Sequence, residues 1–282
     1  MEPLTPARIT RYADVASMHA AAPVPQREYE SAGVVLLEDS GIRYDEAFIQ
    51  ALAFPPEWKK VGALNGITKP PLVLEGGRMV RTDNPLCTVV RNDVELLKVY
   101  SELRDLEMGF RLLLAELFPG YRLDTLSNVT FRFTPTALEP VHLDSYGRGV
   151  PTPPEQVRPR VKLFLNVDRK PRVWNVGPTL PDLIAASAGT LGTTLPTDVN
   201  RLCDVVNNSG LLERVPFARL EIPPRGIVFA NGPMVVHQVV SGNRMVSLEG
   251  FVPRSALLPE SRYEGDCTRE WIEAAGYTAT AS

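Results

Sequence analysis

The sequence has few cysteines and histidines, no excess of positive charge and no long apolar run. Its three cysteines, among 282 residues, include no C-x-x-C pair, which argues against a zinc or disulfide framework and predicts free thiols in a reducing compartment. A formal net charge of −3 argues against a nucleic-acid-binding protein. No apolar run reaches the roughly 18 residues of a membrane span, and the first residues lack the pattern of a signal peptide. We therefore expect a cytoplasmic protein that neither crosses a membrane nor binds nucleic acid.

Proline is abundant, with 26 residues, and this predicts short strands, short helices and ordered loops. One long helix is expected over residues 93–118, where apolar residues recur at helical spacing and Asn92 or Asp93 can cap the start. Most segments after it are rich in β-branched and aromatic residues and are bounded by turn residues. Because no regular crossover helices separate these strands, we expect an antiparallel barrel or sandwich.

These patterns predict a mainly β chain with helices, of the α+β class, folded as a single domain over residues 1–282. The N-terminal part contains a short predicted strand at 33–39 and a short predicted helix at 44–53. The predicted parts are an N-terminal extension (1–90), a bracing helix (91–120), a β core (121–255) with a helical insert (178–214), and a C-terminal tail with a short helix (256–282).

Two of the three histidines fall in predicted strands of the β core, and one of them begins an H-x-D motif. Alternate residues of a strand point to the same side, so His142 and Asp144 are expected to project together. His237, on a strand near the end of the core, supplies a third ligand. Two imidazoles and one carboxylate on one face are typical of non-heme Fe(II) oxygenases, in which further coordination positions stay open. The same three ligands are also compatible with a hydrolytic zinc site.

A structural interpretation of these residues stays open beside the metal site. Both histidines could be hydrogen-bonded members of a β core, and Asp144 could cap the turn that begins at Ser145. Histidine is scarce, however, and His237 follows "GIVFANGPMVV" and precedes the glycine turn "SGNR". These features favour metal binding, although a bare H-x-D motif is common by chance.

Three motifs carry a resemblance to a known family. The segments "HLDSY", "RVKLFLNVDRKPRVWNVG" and "HQVVSGNRMVSLEGF" resemble the Fe(II)/2-oxoglutarate-dependent dioxygenases, and most closely the Kdo (3-deoxy-D-manno-octulosonic acid) 3-hydroxylases. The resemblance spans roughly residues 130 to 252 and leaves the first ninety residues unmatched. It implies a double-stranded β-helix core, a jelly roll of the cupin type, which uses Fe(II), 2-oxoglutarate and O₂. The implied reaction is the oxidation, above all the hydroxylation, of a small polar carboxylated substrate such as a sugar acid, an amino acid or a natural-product intermediate, with release of succinate and CO₂.

A 2-oxoglutarate site needs a buried cation for the carboxylate that does not bind the metal, because an unpaired buried carboxylate is costly. Lys162 lies in the apolar strand "RVKLFLNV" and shares a face with Asn166 by period-two alternation. Arg244 follows the second ligand histidine across a glycine turn. Both cations are candidates, with Arg132 in "NVTFRFTP" as a third and Asn166 as a polar neighbour. Each of them is otherwise an ordinary strand or turn residue.

Four further residues are candidates for substrate contacts. Arg172 and Trp174 share one face of "KPRVW", where a cation beside a flat ring suits a carboxylated or sugar-like ligand. Tyr146 and Arg148 follow the H-x-D motif and lead into the proline-rich segment 150–159. The alternative for each arginine is a solvated surface residue, and for each aromatic residue a packing role.

Two other classes of function stay open. The three ligands also suit a cupin-like hydrolase or isomerase that uses zinc or manganese, and a succinate assay after metal reconstitution separates this class from the oxygenases. The second alternative is a non-catalytic β-barrel binding protein with structural histidines, which would bind no stoichiometric iron. The sequence carries no signal about the oligomeric state.

Overall fold

The computed structural model describes residues 3–55, 69–121, 128–133, 135–136, 138–145, 159–187 and 189–281. The strands are β1 (Ile9–Asp14), β2 (Val34–Asp39), β3 (Leu72–Glu75), β4 (Arg78–Arg81), β5 (Asn128–Arg132), β6 (Arg160–Asn166), β7 (Arg172–Thr179), β8 (Thr194–Pro196), β9 (Ala218–Ile222), β10 (Ile227–Phe229), β11 (Val235–Ser241), β12 (Met245–Phe251) and β13 (Thr278–Thr280). The α-helices are α1 (Val15–Ala20), α2 (Val24–Glu30), α3 (Glu46–Ala51), α4 (Leu86–Val89), α5 (Asp93–Leu117), α6 (Leu180–Ala186), α7 (Val199–Asn207) and α8 (Glu264–Ala274).

Two sheets form the centre of the structure. The larger sheet has the strand order β1-β2-β10-β6-β12-β5, and the smaller sheet has the order β11-β7-β9. His142 extends the smaller sheet through an isolated antiparallel bridge to His237 on β11. Neither central sheet closes into a barrel within the described residues. The structure is therefore a mixture of helices and sheets, in which two sheets dominate.

Alternate residues of strand β6 pack into two different hydrophobic cores, one on each side of the larger sheet. Its residues Val161, Leu163 and Leu165 belong to a core that the larger sheet shares with α5. Phe164 points to the opposite side, as the period-two alternation predicts, and belongs to a second core between the sheets. Its ring meets the ring of Trp174 on β7 edge-on, at a centroid distance of 4.7 Å. The two sheets therefore pack face to face.

Helix α5 is the long helix that the sequence predicts, and it ends one residue earlier than expected. The side chain of Asn92 accepts hydrogen bonds from the backbone N–H groups of Val94 and Glu95, which have no partner inside the helix. Its buried apolar residues face the larger sheet and are Leu96, Val99, Leu103, Leu106, Phe110, Leu113, Leu114 and Leu117. Among the described residues, no helix combines the length and the apolar character that a membrane span requires.

The N-terminal and C-terminal segments join the sheets through parallel pairs. Strand β1 pairs in parallel with β2, which pairs with β10, and β13 pairs in parallel with β8. The expectation of an antiparallel arrangement is therefore wrong for these two pairs. Helices α1 and α2 supply the crossover that the parallel β1–β2 connection requires. The run Val34–Leu37 is buried on both faces, which explains why it is continuously apolar rather than alternating.

The segment between β7 and β9 contains two helices, α6 and α7, within the helical insert that the sequence predicts at 178–214. Thr179 caps the first by accepting a hydrogen bond from the backbone N–H of Asp182, and Asp198 caps the second. Strand β8 between them is not predicted by the sequence, because three residues carry no periodicity. The cysteines are free thiols, as expected.

Replacing Leu103 by alanine is expected to lower the free energy of unfolding by about 2–5 kcal/mol, because it leaves a cavity between α5 and the larger sheet. Leu103 is fully buried, whereas Leu112 on the same helix is 65% exposed. Leu112→Ala is therefore the matched control, with an expected change within about 0.5 kcal/mol. Urea unfolding followed by circular dichroism measures both. Equal losses for the two variants would contradict the packing described for α5.

Candidate metal centre

Three side chains that can bind a metal meet between the two sheets. The backbones of His142 and His237 exchange two hydrogen bonds of 3.0 Å, one in each direction. This pair holds the residues opposite one another and brings the imidazole centroids to 4.5 Å. Asp144 follows two residues later, and its Oδ1 lies 3.7 Å from Nε2 of His142 and 4.0 Å from Nε2 of His237. The three residues that the sequence groups together are therefore close in space.

The backbone sets the tautomer of both imidazoles. Nδ1 of His142 donates to the carbonyl oxygen of Pro140, and Nδ1 of His237 donates to that of Val235, each at 2.9 Å. A carbonyl oxygen only accepts hydrogen bonds, so in the neutral ring the proton is on Nδ1 and the lone pair on Nε2. Both Nε2 atoms are the ones that approach Asp144. The two rings therefore present their ligand atoms to the same point.

Two neighbours fix the carboxylate of Asp144. The ammonium of Lys162 donates to Oδ2 at 2.5 Å, which leaves Oδ1 directed at the two imidazoles. The backbone N–H of Asp144 donates to the carbonyl oxygen of Gly232 at 3.0 Å. A Cβ atom on Gly232 would lie 1.9 Å from Oδ2, so only glycine lets the carboxylate occupy this position. Asp144 is thereby arranged to offer one oxygen to a metal.

The pKa values of the three groups shift in different directions. Burial would raise the pKa of Asp144, but the charge of Lys162 and the nearby imidazoles hold it well below its usual range. The neighbouring carboxylate raises the pKa of His142, and burial lowers the pKa of His237. Asp144 is therefore ionised at neutral pH, as a metal ligand must be.

The three ligand atoms lie close enough together to hold a single metal ion. All of them are within 4.8 Å of one another, and the two Nε2–Oδ1 separations are 3.7 and 4.0 Å. Two imidazoles and one carboxylate leave coordination positions open for other ligands. The donor set suits Fe(II), and it also suits zinc or manganese.

The three residues lie in the wall of a cavity of about 120 Å³ between the sheets. A single water needs about 10–15 Å³, so the cavity admits a small organic ligand. Apolar residues from both sheets, among them Phe164 and Trp174, form part of its wall. The other charged residues of the wall are Arg132, Glu139, Lys162, Arg172 and Glu249.

Four predicted co-substrate and substrate residues lie in this cavity, in different environments. Lys162 pairs with Asp144, and Nη1 of Arg132 donates to Oε1 of Glu139 at 2.7 Å. Arg172 and Trp174 lie together in the wall that β7 forms, and both are almost completely buried. Arg172 is therefore not the solvated surface residue that was its alternative.

Two other candidates for the co-substrate site contact the backbone outside this cavity. Arg244 donates from Nη2 to the carbonyl oxygen of Gln50 at 2.9 Å, and its guanidinium lies over the ring of Phe133. The amide of Asn166 donates to two backbone carbonyl groups, at 2.9 Å each, and so ties the connection between β6 and β7. The predicted substrate residues Tyr146 and Arg148, and most of segment 150–159, lie outside the described residues.

Sequence analysis missed Glu139 and Gly232. Glu139 pairs with a cavity arginine, but an acidic residue before a proline carries no motif. Gly232 packs against Asp144, and the only local signal was the "NGP" turn, which gives no indication of a close approach. Both roles depend on which segments the fold brings together.

A scan of family models finds no match to the sequence, and no curated protein matches it. Solved structures do match the fold, and among them are structures of the Kdo hydroxylase KdoO, a non-heme Fe(II) alphaketoglutarate-dependent dioxygenase. The apo form has a TM-score of 0.62 and 13% identity, with 95% of each chain covered. The complex with succinate and Fe(III) has a TM-score of 0.61 and 14% identity, also with 95% of each chain covered.

A third structure of KdoO, in complex with alphaketoglutarate and Fe(III), has a TM-score of 0.61 and 14% identity and covers 96% of this chain and 97% of that chain. The resemblance noted in the sequence is thus confirmed at the level of the fold. The structural match also includes the N-terminal residues, which the sequence motifs left unmatched. At this level of identity the likeness concerns the fold, whereas the chemistry depends on the residues of the site.

Replacing Gly232 by alanine is expected to weaken binding of a divalent metal by at least about tenfold, although no ligand atom is removed. The added methyl group would overlap the carboxylate of Asp144 and force it to turn away. Calorimetric titration with Mn²⁺ measures the effect, and circular dichroism checks the fold. Gly109→Ala, on α5 and outside the cavity, is the control. Unchanged Mn²⁺ affinity in Gly232→Ala would contradict the described position of Asp144.

Proposed function

We propose that the protein is an Fe(II)- and 2-oxoglutarate-dependent dioxygenase. The observation that carries this proposal is the meeting of His142, Asp144 and His237 in the wall of a cavity that admits a small ligand. Two imidazoles whose Nε2 atoms approach one carboxylate oxygen match the donor set of non-heme Fe(II) oxygenases. The fold likeness to KdoO supports the same reaction type.

We propose further that the two central sheets form a jelly roll within a single domain that spans the chain. The sheet order β5-β12-β6-β10 faces the order of the His142 segment, β11, β7 and β9. Successive core strands thus alternate between the two sheets, except that β7 and β9 are neighbours in the smaller sheet, and this is the strand order of a double-stranded β-helix. In this arrangement β1 and β2 extend the larger sheet and α5 braces its outer face.

Several residues of the chain prepare the site for this chemistry. The carbonyl groups of Pro140 and Val235 orient the two imidazoles, and Lys162 holds Asp144 so that it offers one oxygen. Phe164 and Trp174 form part of the apolar wall of the cavity. When bound together with 2-oxoglutarate, Fe(II) supplies the oxidation of a substrate C–H bond by O₂, with release of succinate and CO₂.

The role of Lys162 in this proposal differs from a co-substrate contact. Its ammonium is engaged with Asp144 at 2.5 Å, and its side chain is only 12% exposed. A lysine in this position balances the charge of the metal ligand and restricts its rotation. We therefore assign Lys162 as a positioning residue for Asp144.

We propose that the substrate is a small polar carboxylic acid, such as a sugar acid or an amino acid. KdoO, whose fold this chain resembles, is a Kdo hydroxylase, and Kdo is a sugar acid. His142 is the most exposed of the three ligand side chains, at 33%, so the site opens toward solvent on its side. The segment after Asp144, with Tyr146 and Arg148, follows directly from this side in the sequence and is the proposed contributor of substrate contacts.

The proposed activity predicts succinate release that depends on Fe(II), 2-oxoglutarate and O₂ together. The protein is loaded anaerobically with Fe(II), and oxygen consumption and succinate are then measured with sugar acids, amino acids and other small carboxylates. A substrate is expected to raise succinate formation well above the rate without substrate. Zn²⁺-dependent turnover without 2-oxoglutarate would instead indicate a hydrolase or isomerase, and the absence of stoichiometric iron would indicate a binding protein.

His237→Ala is expected to abolish stoichiometric Fe(II) binding and 2-oxoglutarate turnover while the fold is retained, because it removes one of three metal ligands. Iron content after anaerobic loading and the thermal unfolding midpoint measure the two properties. His19→Ala, on α1, is the matched control, since it removes an imidazole from a different part of the chain. Parental iron content in His237→Ala would contradict the proposed ligand set.

A further inference from the structure

Arg172 is a buried cation without a hydrogen-bond partner among the described residues. Its exposure is 1%, and none of its three guanidinium nitrogens has a hydrogen-bond acceptor among the described residues. Burial lowers the pKa of Arg172 to about 10, which still leaves the group charged at neutral pH. An uncompensated buried charge is strongly unfavourable. An anion that forms hydrogen bonds with Arg172 would therefore have to come from outside the described part of the chain.

A second unpartnered donor lies beside it. The indole Nε1 of Trp174 is buried and has no acceptor among the described residues. Arg172 and Trp174 are two residues apart on β7, so their side chains share one face. Both line the cavity. Two neighbouring groups thus direct only hydrogen-bond donors into the same space.

The position of this pair relative to the metal ligands is set by the smaller sheet. The ring of Trp174 stacks on that of His237 at a centroid distance of 5.7 Å. Along the β7–β11 pair, Trp174 is opposite Val239 and Arg172 lies two residues further from the metal centre, roughly 7 Å along the strand. Arg172 is also far more buried than His142, on whose side the site opens. The donors thus lie further along β7 from the metal ligands, in a more buried part of the cavity wall.

The turn between β11 and β12 makes room for Arg172. A Cβ atom on Gly242 would lie 2.6 Å from Nη1 and 2.7 Å from Cγ of Arg172. Gly242 also has a φ of 153°, which favours glycine. The "SGNR" turn therefore serves to admit the arginine side chain into the wall.

The other cations near the cavity have partners. Lys162 is paired with Asp144, and Arg132 is paired with Glu139. Arg244 donates to a backbone carbonyl group outside the cavity. Among the described residues that line the cavity, Arg172 is thus the cation left for a ligand.

We infer that Arg172, assisted by Nε1–H of Trp174, binds the carboxylate of 2-oxoglutarate that does not contact the metal. The identity of the ligand rests on the proposed function, whereas the donors and their burial belong to the chain itself. A planar guanidinium matches a carboxylate with two parallel hydrogen bonds. A ligand anchored at this end extends its other end toward His237, because both sites face one cavity. The main substrate then approaches from the side of His142.

The test compares two acids that differ by one carboxylate. Binding of 2-oxoglutarate and of 2-oxopentanoate to the Mn²⁺-loaded protein is measured by calorimetry without O₂. The parent protein is expected to prefer the diacid by at least about a hundredfold. Arg172→Met is expected to abolish this preference while the affinity for 2-oxopentanoate stays within about threefold. Arg244→Met tests the competing cation. Arg219→Met, on the exposed side of β9, controls for the loss of a positive charge. Both variants are expected to keep the preference for the diacid.

Two further measurements distinguish loss of the carboxylate anchor from loss of folding and from absence of the proposed enzymatic activity. Arg172→Met removes a buried charge that has no hydrogen-bond acceptor among the described residues, so its thermal midpoint without ligand is expected to be no lower than that of the parent. Glutarate, which lacks the oxo group, is titrated into metal-free protein with intrinsic tryptophan fluorescence as the readout. Binding that is lost in Arg172→Met supports the anchor even if no succinate is ever formed.

Three results would overturn the inference. One is equal affinity of the parent for the two acids, which needs no variant. Another is a diacid preference that persists in Arg172→Met, and the third is a preference lost only in Arg244→Met. If succinate is formed by Arg172→Met with parental affinity for 2-oxoglutarate, the proposed function stands and the anchor fails.

Discussion

The candidate site depends on one pairing, the two reciprocal backbone hydrogen bonds between His142 and His237. These bonds join segments from the beginning and the end of the β core and place the two imidazoles at a centroid distance of 4.5 Å. Asp144 reaches them because it follows on the same segment, and Trp174 stacks on His237 from the next strand. If this pairing slipped by one residue, the side chains would point to opposite sides of the sheet.

Charge in the cavity is balanced locally, with one exception. Lys162 compensates Asp144, and Glu139 compensates Arg132, so each buried ion has an opposite charge at hydrogen-bonding distance. Arg172 has none among the described residues. Groups that are arranged for a ligand rather than for one another generally lower the stability of a protein. The two apolar cores, one against α5 and one between the sheets, supply the stability that tolerates this arrangement.

The similarity to KdoO extends over almost the whole chain although the sequences share only 13–14% of their residues. Sheet packing requires apolar residues at alternate positions and approximately constant volume, and many sequences meet these conditions. The function is therefore carried by a few polar residues placed on this scaffold. In this chain we propose that they are the three candidate metal ligands, Lys162 behind Asp144, and the buried donors Arg172 and Trp174.

The sequence by itself determined the features that depend on local periodicity. The spacing in α5, the alternation along β6 and the H-x-D motif each involve neighbours in the chain, so helix, strand faces and candidate ligands could be predicted. The parallel β1–β2 pair, the packing of Gly232 against Asp144 and the partners of the candidate cations were decided only by the tertiary structure. Whether an arginine or lysine is paired, exposed or directed at a ligand depends on residues far away in the sequence. Lys162 and Arg172 look alike in their strands, and only the folded chain places Asp144 against one of them and leaves the other without an acceptor among the described residues.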